Sequence, residues 1–209
     1  MIIAVDGPTA SGKGTIAKAI AERFGLPHLD TGLLYRAVGR QVQLAGTDPE
    51  NAEDALAATD FPDSLLDDPE LRSEVGGSFA SRVSVHPQVR AALLERQRAF
   101  AGQDGGAVLD GRDIGTVICP DADVKLFVTA SLDARTDRRF AEMQSQGRAM
   151  TRDEVRDQIA RRDERDMGRK DAPLVAAQDA YVLDTTALDK EAAIAAAVDI
   201  VRSAGTARG

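Results

Sequence analysis

The sequence predicts an α/β fold in which a parallel sheet is flanked by helices. Five short apolar runs recur along the chain, helical patterns separate most of them, and a glycine-rich turn joins the first run to the first helix. Strands that alternate with helices pair in parallel through right-handed crossovers. The runs are Ile2–Val5, Pro27–Leu29, Ala107–Leu109, Val124–Val128 and Tyr181–Leu183.

The pattern within and between these runs supports each element in turn. The runs do not alternate between apolar and polar residues, as expected for strands that are covered on both faces. The segment Ile16–Phe24 places apolar side chains at a spacing of four, which is typical of a helix. The segments Val89–Phe100 and Ala192–Val201 are also predicted helices. Residues 46–80 contain three prolines and many acids, and we expect a loosely structured excursion with helical pieces.

Composition limits the class of protein. The chain has 209 residues, a net charge of −8 and one cysteine, Cys119, which excludes an internal disulfide. One domain is expected from this length. The acidic balance argues against a nucleic-acid partner. The apolar run at the N-terminus is far shorter than the ~18–20 residues of a membrane span, so we expect a cytoplasmic protein without a membrane partner. No heptad pattern is present, and a monomer is expected.

The strongest motif is the glycine-rich segment 7–15. Gly7, Gly12 and Lys13 match the spacing of the P-loop, although Gly14 replaces the usual Ser or Thr. Glycines allow successive N–H groups to approach phosphate oxygens, and the following helix directs its positive N-terminus to them. Lys13 adds a charge for the β- and γ-phosphates of ATP, and we predict that the whole segment binds ATP: Gly7, Pro8, Thr9, Ala10, Ser11, Gly12, Lys13, Gly14 and Thr15.

A P-loop alone indicates a nucleotide phosphate and no particular activity. The guanine-binding Asn-Lys-x-Asp motif of GTPases requires an asparagine in a context that the single asparagine, Asn51, does not provide. A conventional GTPase switch is therefore excluded.

The segment Thr151–Arg169 predicts a helix with an unusual inner stripe. Thr151 and Glu154 form a capping-box pattern at its start. The stripe begins apolar and then becomes charged, along Val155, Ile159, Arg162, Asp166 and Arg169. Such a stripe fits either an anion-binding cleft or a helix that leaves the core for solvent with weak ion pairs. Periodicity leaves both interpretations open.

Several single residues have two possible roles. Asp110 ends an apolar run and either orients water or Mg²⁺ or caps a helix. Asp113 and Asp166 are candidates to accept a hydrogen bond from a ligand amine or to orient a neighbouring arginine, and both roles could hold because a carboxylate has two oxygens. His28 and His86 have no metal-binding spacing, and both histidines and Cys119 are interpreted as structural.

Two motifs follow predicted strands: Asp30-Thr31-Gly32 with Tyr35-Arg36, and Asp110-Gly111-Arg112-Asp113. The first resembles the acceptor-site signature of the cytidylate kinase family, and the second resembles that family's Asp-Gly-Arg-Asp turn. The resemblance to this family extends along nearly the whole chain. The stretches around Ser81, around Arg90 and in 96–98 resemble its acceptor-domain helices. The segment 161–169 resembles its Arg/Asp-rich helix.

The resemblance implies a P-loop NTPase fold with a five-stranded parallel core. It divides one kinase domain into a core (1–31, 103–134 and 171–209), an acceptor-binding region (about 32–102) and a lid with the Arg-rich helix (about 135–170). Residues 59–79 are too short and too poor in β-branched residues for the small sheet that some members insert here. The acceptor-site residues it implies are Thr31, Arg36, Ser81, Arg90, Arg112, Asp113, Arg162, Asp166 and Arg169.

The function implied by the resemblance is phosphorylation of CMP and dCMP by ATP, with Mg²⁺ bound mainly through the ATP phosphates. The residues expected to act in catalysis are Lys13, Arg112, Asp113, Arg162 and Arg169. Arginine suits this chemistry because its planar fork matches phosphate oxygens and stays charged. A kinase for UMP or AMP is the nearest alternative, and an acceptor-independent ATPase is a more distant one.

Overall fold

Five strands form one sheet in the computed structural model of the protein, which describes residues 1–206. Their spatial order is β2-β3-β1-β4-β5. Strand β1 pairs in parallel with β3 and β4, and β4 pairs in parallel with β5. The predicted α/β fold with a five-stranded parallel sheet is thus confirmed. The strands are β1 (Ile2–Asp6), β2 (His28–Asp30), β3 (Ala107–Gly111), β4 (Val124–Thr129) and β5 (Tyr181–Asp184).

Helices follow the strands as the sequence pattern indicates. The predicted capping box is present at the start of the seventh helix, where Thr151 and Glu154 each bond the other's backbone N–H. The helices are α1 (Lys13–Phe24), α2 (Thr31–Ala45), α3 (Ala52–Ala57), α4 (Glu74–Val83), α5 (Pro87–Ala101), α6 (Leu132–Ser145), α7 (Arg152–Met167) and α8 (Lys190–Thr206). None of them, within the part of the chain that is described, is long and apolar enough to cross a membrane.

The hydrophobic core lies between the sheet and the helices α1 and α8. Ile3, Val108 and Val128 are completely buried in the central strands, which explains why those runs do not alternate. Ile16 and Ile20 of α1 and the alanines of α8 belong to the same cluster. Burying one such side chain contributes about 1.5–3 kcal/mol. The core therefore fixes the start of α1 relative to the end of β1, where the glycine-rich loop lies.

Strand β5 departs from the expected cover on both faces. It forms one edge of the sheet, and Tyr181 and Val182 are exposed while Leu183 is buried. The two edge strands are also the shortest, because β2 has 3 residues and β5 has 4, against 5 or 6 in the others.

The chain divides into two compact units. The first consists of the residues up to Leu29 with those from Ala101 onward, and the second is Asp30–Phe100. The predicted division into core, acceptor-binding region and lid is a functional one and stays a prediction.

The second unit is built on close packing of α2 against α4. A Cβ atom on Gly39 of α2 would lie 2.7 Å from the Cβ of Phe79, so the two helices approach where a side chain is absent. The stretch 46–80 is more regular than the sequence indicated. It forms α3, two 3-10 turns (Asp63–Asp67 and Pro69–Arg72) and most of α4, because Asn51, Asp68 and Ser73 cap these short elements. Residues 59–79 contain no strand.

Candidate active site

The glycine-rich loop between β1 and α1 has a curved backbone with several positive φ angles. Gly7 has a φ of 157°, and a Cβ there would lie 2.1 Å from the carbonyl oxygen of Val128, so only glycine fits. Ala10 and Gly12 have φ values of 61° and 89°. Left-handed residues in such a loop direct successive N–H groups into a concave anion-binding surface. The non-glycine Ala10 pays about 1–2 kcal/mol for this conformation.

The N-terminus of α1 faces the same loop. The helix begins at Lys13 without a side-chain cap and without an acidic residue in its first turn. The first N–H groups of a helix lack intrahelical partners and carry partial positive charge, which favours an anion. The hydroxyl of Ser11 is buried and has no hydrogen-bond partner among the described residues. The loop therefore combines a helix terminus, a lysine and a buried hydroxyl, all suited to phosphate.

A cavity of about 510 Å³ lies beside this loop within the first unit. Its charged lining consists of four cations and two acids, so it has an excess of positive charge. Apolar side chains of α1, α8 and the β5–α8 connection form another part of the wall. The lining residues are Ala10, Ser11, Gly12, Lys13, Gly14, Thr15, Ile16, Arg138, Arg139, Glu142, Thr185, Leu188, Asp189, Lys190 and Ala193.

Arg138 of α6 joins three walls of the cavity, and the sequence did not single it out. Its guanidinium donates to the carbonyl oxygen of Ser11 at 3.4 Å and to the hydroxyl of Thr185 at 3.0 Å. The hydroxyl of Thr185 in turn donates to the carbonyl of Ser11 at 3.2 Å. These bonds hold the loop against the segment that follows β5. Because the partners are 47 or more positions apart, spacing along the chain carries no signal for them.

Asp166 is the centre of an arginine cluster at the end of α7. Its carboxylate is fully buried and pairs with Arg112, with Arg169 at 2.6 Å, and with Arg162 at 4.0 Å. Burial opposes ionisation of this carboxyl, but the charges of Arg112, Arg169 and Arg162 outweigh it and hold the pKa of Asp166 below its usual value. The structure thus brings together four of the predicted site residues. Asp166 pairs with three arginines, and its role in the site stays a prediction.

A second ion pair lies one helical turn away and was missed in the sequence. Asp163 accepts from Arg135 of α6 at 2.7 Å, and both side chains are largely buried. Burial raises the pKa of Asp163, against the opposing hydrogen bond and charge of Arg135. Asp163 lies beside Arg162 in a segment of alternating charges, so periodicity gave no reason to prefer it over its neighbours.

The turn that follows Asp113 is fixed by a carboxylate at the end of β1. Asp6 accepts from the backbone N–H groups of Ile114 and Gly115, each at 2.8 Å. Burial raises the pKa of Asp6 to about 7 from an ordinary 3.8; these two hydrogen bonds and Lys13 oppose the rise, and the charge of Asp113 adds to it. Asp113 is itself buried at the start of a π-helical turn, Ile114–Ile118. Asp6, which immediately precedes the glycine-rich loop, thereby fixes the position of the turn that follows Asp113.

Asp110 has a specific partner that the sequence did not suggest. Its Oδ2 lies 2.8 Å from Nε2 of His28 on β2. The carboxylate is almost completely buried and lies 3.9 Å from where a Cβ on Gly14 would stand. Asp110 therefore lies near the start of α1. His28 has a structural contact, as expected, and His86 likewise contacts the carbonyl of Pro49.

The second unit contains the other four predicted acceptor residues. Thr31 is buried as the first residue of α2. Arg36 donates to the carbonyl oxygens of Leu71 at 2.6 Å and Ser73 at 3.1 Å. Ser81 is 3% exposed, and its hydroxyl has no hydrogen-bond partner within residues 1–206.

Arg90 completes that set from α5. Its guanidinium lies over the ring of Tyr35, 5.9 Å from the centroid, which is within the range of a cation–π contact. Cys119 is buried, as expected. Across the described residues, no group of three His, Cys, Asp or Glu side chains is placed to hold a metal ion.

The sheet order, the loop after β1 and the uncapped start of α1 together define a P-loop nucleotide-binding protein. Comparison with known sequences gives the family. The sequence profile described as cytidylate kinase matches residues 3–203, and the chain belongs to the cytidylate kinase family.

Individual relatives agree with the profile over the full length. The chain is 53% identical to a cytidylate kinase of Rhodopseudomonas palustris, covering 100% of this chain and 99% of the relative. It is 55% identical to a cytidylate kinase of Methylocella silvestris, covering 98% and 95%. Among solved structures, an uncharacterized protein from Eubacterium ventriosum is similar with a TM-score of 0.56, 14% identity and 99% coverage of both chains. That last similarity shows a shared fold alone.

Proposed function

We propose that this protein transfers the γ-phosphoryl group of ATP to CMP and dCMP, giving CDP or dCDP and ADP. A phosphate oxygen of the acceptor attacks the γ-phosphorus, and the bond from that phosphorus to the β-bridging oxygen breaks. Membership of the cytidylate kinase family supports the assignment. The reaction needs positioning and charge neutralisation rather than a protein nucleophile.

The single observation that carries the proposal is the contact between the arginine cluster and the loop. Arg112 pairs with Asp166 and also donates to the hydroxyl of Thr9 at 3.2 Å. A phosphate-binding loop and a group of arginines suited to phosphate are therefore adjacent. Two anions that meet at this point have cations on both sides, as transfer of a phosphoryl group between them requires.

The loop residues 7–15 supply the proposed donor site. Backbone N–H groups and Lys13 bind the ATP phosphates, and the cavity that Arg138 and Leu188 help to line takes the rest of the nucleotide. The hydroxyl of Ser11 has a buried position without a partner among the described residues, and a phosphate oxygen would supply one.

The proposed acceptor residues act in two groups. Arg112, Arg162 and Arg169 bind the phosphates, with Asp166 fixing their orientation. The roles of Asp113 with Thr31, Arg36, Ser81 and Arg90 in binding the acceptor rest on the motifs and stay predictions. A buried hydroxyl such as that of Ser81 costs free energy until a ligand atom satisfies it, which supports its assignment.

Mg²⁺ fits the donor site as a companion of ATP. Oxygen ligands are those it prefers, and Thr15, whose side chain carries a hydroxyl, lines the cavity. Bound with ATP, it would supply positive charge that offsets the charge of the phosphates. We assign no protein carboxylate to it.

The test is a coupled assay of ADP release with Mg-ATP and CMP, dCMP, UMP, AMP or no acceptor. Release that depends on CMP and dCMP supports the proposal. Dependence on UMP or AMP alone would keep the reaction and overturn the base, and release without an acceptor would indicate an ATPase. Cytoplasmic location, a monomeric state and the absence of a nucleic-acid or membrane partner stay predictions.

A further inference from the structure

Thr9 of the loop receives hydrogen bonds from two arginines that belong to different elements. Arg112, which follows β3, donates to the hydroxyl oxygen at 3.2 Å. Arg135, on α6, donates to the carbonyl oxygen at 3.2 Å. One residue of the donor loop is therefore held through its side chain and through its backbone by separate cations.

Both arginines are also paired with carboxylates of α7. Arg112 pairs with Asp166, and Arg135 pairs with Asp163 at 2.7 Å. The four side chains are between 1% and 14% exposed, so solvent screens these charges little. Residues three apart lie on one face of a helix. Two parallel routes of contact therefore join this face of α7 to Thr9, one through Arg112 and one through Arg135.

An acceptor nucleotide would affect the contact through Arg112 but would not affect the contact through Arg135. Arg112 is a proposed acceptor-phosphate ligand, so an arriving phosphate competes with Asp166 and Thr9 for its guanidinium. Arg135 lies outside the proposed acceptor set, and its guanidinium also donates to the carbonyl of Ala130 at 3.0 Å. Its contact with Thr9 immediately precedes Ala10, whose φ of 61° needs support from its surroundings.

We infer that Thr9 couples the two nucleotide sites. The bond from Arg112 to its hydroxyl transmits acceptor occupancy to the donor loop, and the Asp163–Arg135 pair holds the loop backbone whether or not the acceptor is present. Asp163 and Arg135 are thus positioning residues. The inference rests on the proposed function, because it takes Arg112 to be a ligand of the acceptor phosphate.

The test measures binding of the β,γ-imido analogue of ATP with Mg²⁺ by titration calorimetry, without CMP and with saturating CMP. The ratio of the two dissociation constants is the coupling factor, expected to be at least about fivefold in the unmodified protein. Thr9→Val keeps the shape of the side chain and removes the hydroxyl, and its factor should fall to about one. Thr9→Ser keeps the hydroxyl and should keep the factor.

The Asp163→Asn variant tests the contact through Arg135 separately from the contact through Arg112. It weakens the hold of Arg135 on the loop backbone, so the analogue should bind about three- to tenfold more weakly, to the same extent with and without CMP. The matched control is Asp157→Asn, an exposed position on the same helix, which should change neither constant. Thermal melts of each variant establish that it is folded.

Two results would overturn the inference. One is a Thr9→Val variant that keeps the coupling factor of the unmodified protein, and the other is an Asp163→Asn variant that loses it as Thr9→Val does. A direct titration with CMP alone distinguishes the causes of failure. If CMP binds and the factor is one, the coupling is wrong and the proposed function stands. If CMP does not bind, both are wrong.

Discussion

The glycine-rich loop and the arginine cluster around Asp166 are both suited to bind anions, but they achieve this by opposite means. The loop uses backbone N–H groups and Lys13, and its helix has no acidic residue in the first turn. The cluster places three arginines around the buried carboxylate of Asp166. The loop is therefore preorganised by backbone geometry, whereas the cluster is preorganised by an internal counter-charge. A residue changed in the loop should alter turnover, and one changed in the cluster should alter stability as well.

Lys13→Ala should give the largest effect on the loop side of this comparison. Loss of one cation that stabilises the transferred phosphoryl group should lower kcat about 10²- to 10³-fold. The circular dichroism spectrum should not change, because the fold rests on the core that the strands form with α1 and α8. Lys18→Ala, at an exposed position of α1, is the control and should keep its turnover. Near-normal turnover of Lys13→Ala would remove the loop from catalysis.

Asp166→Asn tests the cluster side. Removing one partner of a buried ion pair costs about 3–5 kcal/mol, because the remaining charges are left uncompensated. Urea unfolding should show this loss, and added phosphate should restore part of it by replacing the counter-charge. Asp199→Asn breaks an exposed pair with Arg202 and should change stability by less than about 0.5 kcal/mol. An unchanged unfolding midpoint for Asp166→Asn would contradict the role given to the carboxylate.

The buried hydroxyl of Ser81 extends the comparison to the second unit, which contains neither the glycine-rich loop nor the arginine cluster. Ser81→Ala removes a buried group without a partner in the described chain, so stability should stay the same or rise slightly, while the KM for CMP rises about five- to tenfold. Ser84→Ala provides the contrast. Its hydroxyl donates to the carbonyl of Ser81 at 3.2 Å, so stability should fall by about 1 kcal/mol with an unchanged KM. Equal KM values would exclude Ser81 from acceptor binding.

Asp6, next to the loop, gives an effect that depends on pH. Its pKa is raised to about 7 in the folded protein from 3.8, so between about pH 4 and pH 7 the folded state binds more protons than the unfolded state. Stability should therefore be lost as the pH rises through this window, by up to about 1.4 kcal/mol per pH unit from this group. Urea unfolding at several pH values should show a smaller loss in Asp6→Asn. The same slope in both proteins would refute the assignment.

The parts of the molecule that the sequence predicted are those that depend on neighbouring positions. The five strands follow from local apolar runs, and the start of α7 follows from the capping box of Thr151 and Glu154. The stripe that turns charged at Arg162 also indicated the face on which Asp166 lies. The apolar runs are continuous, and the capping box and the stripe have spacings of three and four residues, all of which a single sequence displays.

The parts that were missed join distant positions. Arg138 contacts the Ser11 carbonyl across 127 positions, and Asp6 contacts the Ile114 N–H across 108. Both depend on which strands become neighbours in the sheet, and a local pattern does not state that. The His28–Asp110 pair has the same cause, because it joins the adjacent strands β2 and β3. The roles of the acceptor residues came from motifs rather than from spacing.

The short edge strands have a consequence for how the protein behaves at high concentration. An edge strand offers unpaired backbone groups to other chains, and long apolar edges promote aggregation. Here the sheet begins with three residues in β2 and ends with four in β5. Strand β5 exposes Tyr181 and Val182, but it ends at Asp184, whose carboxylate is engaged by Thr186. Its brevity and this terminal charge limit the growth of an intermolecular sheet on this edge.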